Sequence, residues 1–260
     1  MRGTEMGAVW SLELLKLRRS TVARLITPLL TVLVPLGSVG AVALARSPSL
    51  PGSAAAKFAP YAVGDLMTNH LLVVGQIMSV AVLTAGGFAA AWSYGREFVA
   101  GTAGALAGLT APRWTVGLVK ALLLALWLIA CHAAALVVTV LLSLAVGGRP
   151  VGDVGLQAVI AMVAGLLAIA LALPFGWVAT LTRSQLGTIG VLIAIVMLTQ
   201  IMVVLGAGAW FPYAVPSLLA GMGGPDAAAE IGPGSIVATA VLAPLALVAV
   251  TAQWRRLDAT

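Results

Sequence analysis

The stretch LVKALLLALWLIACHAAALVVTVLLSLAV, residues 118–146, decides the fold class. It carries no Asp, Glu or Arg, one lysine near its start and one histidine inside it. A membrane-spanning helix needs about 20 mostly apolar residues, and this run has 29. As one helix it is about 43 Å long, longer than the ~30 Å hydrocarbon core, so it must tilt or protrude. Its residues do not alternate between apolar and polar, which argues against a spanning β-strand.

Working outward, five further runs are long and apolar enough to span: residues 22–44, 69–91, 156–181, 186–209 and 235–252. Hydrophobic residues make up 61% of the chain and charged residues 8%. Soluble domains average about 25% charged, so the solvent of this chain is a bilayer. The expected fold is all-α: a polytopic membrane protein with six transmembrane helices, preceded by an amphipathic interfacial helix over residues 1–20. No repeat of period 20–50 is visible, which excludes a solenoid.

The formal net charge of +6 does not point to nucleic acid, because the basic residues sit at the ends of apolar runs rather than in a groove. They set orientation instead. Arg2, Lys16, Arg18, Arg19, Arg24, Arg96, Arg113, Lys120, Arg183, Arg255 and Arg256 fall on one side, 11 in all, against Arg46, Lys57 and Arg149 on the other. The richer side is predicted to be cytoplasmic and to hold both termini. Ala43, Leu44 and Ala45 look like a signal cleavage site, but the run before them is itself long enough to span, so an uncleaved first helix is expected. Residues 210–234 form an outer loop, with Trp210, Phe211 and Tyr213 at the interface and residues 217–222 placed to dip back into the membrane.

Chemistry is sparse. There is no G-x-x-x-x-G-K-[ST] phosphate loop, no H-E-x-x-H, and a single cysteine, Cys131, so neither an internal disulfide nor a cysteine metal site is available. The middle of every run lacks Asp, Glu, Lys and Arg, the usual carriers of coupling ions in secondary transporters. Power for any transport is therefore expected to enter from another polypeptide.

One inward segment suits such a partner. Residues 92–120 read WSYGREFVAGTAGALAGLTAPRWTVGLVK. Phe98, Thr102, Leu106 and Leu109 share one helical face. Glu97 would lie near that helix's N-terminus, where the dipole favours an acid. Pro112 would end it, and Lys120 would snorkel to the head groups. A short cytoplasmic helix over 95–109 is expected to dock into a groove on a soluble protein, with Glu97 as a surface anchor and Gly101 permitting close approach.

These features together resemble the ABC-2 type permeases, the membrane subunits of ABC exporters. The resemblance rests on ELLKLRRS (residues 13–20), on six spans with both ends inside, and on Glu97, the Gly101-Thr102 step, Leu106, the Pro112-Arg113 step and Lys120. WFPYAVP, residues 210–216, is similar to the branch of bacitracin- and lantibiotic-immunity permeases. The resemblance implies that Arg96, Glu97, Phe98, Gly101, Thr102, Leu106 and Leu109 couple to an ATPase. It implies two copies of that ATPase, which bind ATP and Mg while this chain holds no cofactor, and a second permease, identical or related. It also implies a path between the first, second and fifth spans of opposed subunits. The polar or soft residues there are Thr27, Thr31, Ser38, Gln76, Met78, Thr84, Thr199, Gln200 and Met202. With no charge among them, a hydrophobic or amphipathic cargo is expected: a drug, an antibiotic peptide or a lipid-like compound. Two other readings stay open at this point: a membrane scaffold that binds a soluble partner and transports nothing, and an ion-coupled carrier.

Overall fold

The structure, a computed structural model, describes residues 3–47, 58–101 and 112–256. Nine helices organise the description: α1 (Gly3–Arg19), α2 (Thr21–Ala45), α3 (Leu66–Val99), α4 (Arg113–Ala145), α5 (Val154–Thr182), α6 (Gln185–Val204), α7 (Val215–Leu219), α8 (Gly224–Ala229) and α9 (Pro233–Arg256). Six of them, α2 to α6 and α9, are long and apolar enough to cross a membrane. The described residues contain no strand.

Helix α3 is the axis of the bundle. In its most apolar window 67% of residues are buried, against 17% in α6 and in α9. Its partners reach it over small residues: Gly75 faces Ala161 and Gly86 faces Ala172, where an added Cβ would lie 3.0 and 2.7 Å from the opposing methyls. In lipid, where apolar surface gains little by leaving the tails, such close backbone approach is what makes helices pack. Gly165 of α5 is the tightest case. It makes room for the ring of His132, which is fully buried with Nε2 3.2 Å from the Ala161 carbonyl.

Helices α3 and α4 run beyond the apolar runs read from the sequence, through Val99 and from Arg113 respectively. Conversely, the fifth span stops at Val204 and not at 209. Gly206 takes φ +73°, and a 3₁₀ turn, Gly208–Trp210, follows. Helix α2 contains one wide π turn, Leu29–Leu33, between Pro28 and Pro35. A proline removes a donor from the helical ladder. Here the Val34 amide bonds Leu29 and the Thr31 hydroxyl donates to the Thr27 carbonyl at 2.8 Å, so polar groups stay paired around the irregular turn.

At the end opposite α1, Asp65 caps α3, accepting from the Thr68 amide at 2.8 Å and its hydroxyl at 2.9 Å. Asn69 holds the chain before it by donating to the carbonyls of Tyr61 and Val63. Helix α7 is buried there: Val215, Pro216, Ser217 and Leu218 all pack inward. Burial alone would raise the Asp65 pKa, but the Thr68, Leu66 and Met67 donors more than offset it and hold the carboxyl below its ordinary 3.8. A depressed folded pKa means the cap's contribution is complete above the unfolded value and lost as pH falls through the lower folded one. Asp65→Ala is expected to cost about 1 kcal/mol at neutral pH, read as a lower melting temperature, with the difference from wild type shrinking only in strong acid.

Candidate coupling site

Helices α1, the C-terminal end of α3, the start of α4, the α5–α6 turn and the tail of α9 meet at one end of the bundle, where most of the arginines lie. Ser20 makes the elbow that brings α1 there. Its hydroxyl donates to the Leu17 carbonyl at 2.8 Å and accepts from the Ala23 amide at 3.0 Å, ending α1 and capping α2. Val9 is buried and Met6, Trp10, Leu14 and Leu17 are partly buried in a cluster with Val116, Val119 and Leu123 of α4. The N-terminal helix thus packs its apolar side on protein, while Leu12 and Leu15 stay exposed.

The same docking buries Glu13, and this builds the site. Lys120 Nζ donates to Glu13 Oε2 at 2.7 Å, to Glu97 Oε1 at 3.0 Å and to the Ser93 carbonyl at 3.3 Å. Lys16 Nζ donates to Glu13 Oε1 at 2.7 Å and to Glu97 Oε1 at 3.1 Å. The side chains of Glu13, Glu97 and Lys120 are 4% exposed or less, whereas Lys16 is 25% exposed at the rim. Two acids and two bases give a neutral quartet, the arrangement in which charges tolerate a low dielectric. Burial would lower the Lys16 pKa, but Glu13 and Glu97 outweigh it and hold the ammonium above its ordinary value. With the folded pKa raised, its contribution is complete below 10.5 and fades only as pH climbs through the higher folded value.

Beside the quartet stands an aromatic pad. Trp254 of α9 is 1% exposed and packs edge-on against Tyr94 (centroids 6.0 Å apart) and Phe98 (6.5 Å). Its indole N–H donates to Thr180 Oγ1 at 3.1 Å, and Tyr94 Oη donates to the Gly117 carbonyl at 2.7 Å. Gly117 has no side chain to hold the Trp254 ring away: an added Cβ would lie 2.9 Å from it.

Several residues singled out from the sequence stand elsewhere than expected. Residues 95–99 are not the start of a separate helix but the last turns of α3. Glu97 is therefore at a helix C-terminus, where the dipole opposes an acid, and it is buried on two lysines instead of presented as a surface anchor. Lys120 does not snorkel, because the same two carboxylates hold it inside. Arg96 lies 4.8 Å over the Trp92 ring, and Phe98 is half-buried against Trp254. Gly101 takes φ +67°, the left-handed region that favours glycine, and no described atom lies within 4 Å of where a Cβ would stand. With its amide bonding Phe98 at 3.2 Å, it closes α3 as a left-handed C-terminal residue. Gly101→Val is expected to cost about 1–2 kcal/mol; protease cleavage between 100 and 112 reads the loosened end. Thr102, Leu106 and Leu109 lie outside the described residues.

The residues proposed for a path are not gathered by one chain. Ser38 and Met78 are fully buried in the interior. Gln76 accepts from the Tyr61 hydroxyl at 2.7 Å. Thr199 is buried on its own helix, donating to Ile195, while Thr84 and Gln200 are exposed and Met202 is half-buried. Thr27 and Thr31 line a lateral groove against α4. Sequence reading missed Glu13 as a site residue. Its i,i+3 spacing to Lys16 was a usable signal, but nothing local reports a partner 107 positions away.

The fold and site define an all-helical polytopic membrane protein with a buried ionic joint at its basic end. The family described as ABC-2 family transporter protein matches residues 10–200, from α1 into α6. The chain belongs to that family. It is a multi-pass plasma-membrane component of an ABC transporter, a class whose members work in a membrane complex with an ABC ATPase. The matched residues include the whole quartet and stop short of the 210–216 stretch. A search of curated proteins finds no match to the chain.

Proposed function

We propose that the chain is the permease half of an ATP-driven exporter, facing a second permease and standing over two copies of a separate ATPase that bind ATP and Mg. The basic end faces the cytoplasm in this reading, with both termini there, as the bias of lysine and arginine favours. The cargo is hydrophobic or amphipathic, in keeping with membrane interiors free of Asp, Glu, Lys and Arg.

The observation that carries the reading is the quartet. Residues 102–111 connect α3 to α4, and the helix ends on either side of them are tied through Glu97 and Lys120 to each other and to α1. Force applied to that connection by a docked ATPase reaches three helices at once instead of being absorbed by one. Arg96 and Phe98 flank the connection; Thr102, Leu106 and Leu109 form its docking face, and Glu97 serves as a tie behind it.

The test is a double substitution on the docking face, Leu106→Asp with Leu109→Asp, in the full-length protein. Expected are an unchanged melting temperature, loss of co-purification with a P-loop ATPase, and loss of cargo-stimulated ATP hydrolysis. Retention of both the ATPase and its stimulation in a correctly inserted double variant refutes the docking assignment.

A further inference from the structure

A groove of about 840 Å³ runs between α1, α2 and α4, within the ~300–1,000 Å³ typical of small-molecule sites. Trp10 and Leu14 form one wall; Pro28, Trp127, Cys131 and Ala134 are among the residues of the floor and the other wall. Trp127 satisfies its one donor on Thr27 Oγ1 at 3.1 Å, so what it leaves for a ligand is apolar ring. From Leu123 to Ala134 the groove follows α4 over 12 residues, about 16 Å from first to last, half of a ~30 Å hydrocarbon core. Its length is that of one leaflet.

One end is different. Arg18 and Arg24 line it, both exposed, and neither makes an ion pair with a described carboxylate. The acids described at this end of the bundle, Glu13 and Glu97, are engaged by Lys16 and Lys120. Two free guanidinium groups at the head of an apolar channel of one-leaflet depth match an anionic head group on an acyl chain.

We propose that this groove is a binding site for an anionic phospholipid of the leaflet at the basic end, with its phosphate on Arg18 and Arg24 and an acyl chain laid along Trp127 toward Ala134. The site is independent of the coupling reading: lipid can occupy it whether or not an ATPase docks.

The test uses the full chain in phosphatidylcholine vesicles containing a minor fraction of chain-brominated phosphatidylglycerol, or the same fraction of chain-brominated phosphatidylcholine. Bromine quenches nearby indoles, and the Trp127 signal is the difference between wild type and Trp127→Phe. Since each arginine near a membrane surface favours anionic lipid by about fivefold, Trp127 should show a preference for phosphatidylglycerol on the order of tenfold or more. Arg18→Gln with Arg24→Gln, both exposed and so tolerated by the fold, should bring the two lipids level. Excess soluble glycerophosphate should not relieve the quenching. Equal quenching by both lipids in wild type, a preference that survives the double variant, or relief by glycerophosphate overturns the proposal. Absence of quenching by either lipid overturns it too.

Discussion

Lys120→Met is expected to destabilise the protein by about 3–5 kcal/mol, the range for breaking a buried ion pair from one side. The lysine is the centre of the quartet, at 2.7 Å from Glu13 and 3.0 Å from Glu97, and its side chain is 2% exposed. Without it Glu13 and Glu97 lose the buried ammonium that bridges them, and the ammonium of Lys16 lies at the solvent-facing rim. The methionine fills much of the volume, so packing is largely kept and the loss reports charge. Denaturation in detergent measures it. A second substitution separates the ionic account from simple packing: in the Lys120→Met background, Glu97→Gln should recover part of the stability, because it removes one of the two stranded acids, whereas in wild type the same change should destabilise. A Lys120→Met protein as stable as wild type, or a Glu97→Gln effect of the same sign in both backgrounds, contradicts a buried ionic joint.

Trp254→Ala is expected to cost about 3–5 kcal/mol as well, by a different route: a large cavity left in a packed interior. The ring is 1% exposed, lies on Gly117, and meets Tyr94 and Phe98 edge-on. Helix α9 is otherwise weakly enclosed, with 17% of its most apolar window buried, so Trp254, with Val250 one turn before it, is a main fastening of its basic end to the bundle. Trp254→Phe keeps most of the contact area and loses the bond to Thr180, and should cost only about 1–2 kcal/mol. Protection of the amides of residues 245–256 from hydrogen exchange should fall in the alanine variant while that of mid-α3 is little changed. An alanine variant within ~1 kcal/mol of wild type would show that α9 is held from elsewhere.

The spans were legible because bilayer thickness sets a length that few other structures need, and the runs ending at Leu44 and beginning at Leu118 carry it openly. Their ends were less so. Helix α3 continues through Ser93, Tyr94 and Glu97, residues too polar for an apolar window, because protein and not lipid surrounds them. The fifth run reads as apolar to Ala209, but hydropathy does not register that Gly206 turns the backbone to positive φ. At the site, the family pattern brought Glu97 and Lys120 into view as members of one segment. What it did not carry is the third element: α1 reads as a helix for the lipid surface because its leucines and arginines fit that equally well, and only the fold shows that its acid faces inward. A basic residue at the end of an apolar run has two physical solutions, a phosphate outside or a carboxylate inside, and Lys120 takes the second.

The quartet has one property beyond holding helices together. Its formal charges sum to zero, so the transmembrane voltage, which couples to a full elementary charge at about 2.3 kcal/mol per 100 mV, exerts no net pull on it. Being buried, it is also little screened by salt. The exposed arginines around it, Arg18, Arg19 and Arg24 among them, respond to lipid charge and ionic strength; the joint they surround does not. Changes in membrane potential or salt should therefore do little to loosen this junction of α1, α3 and α4.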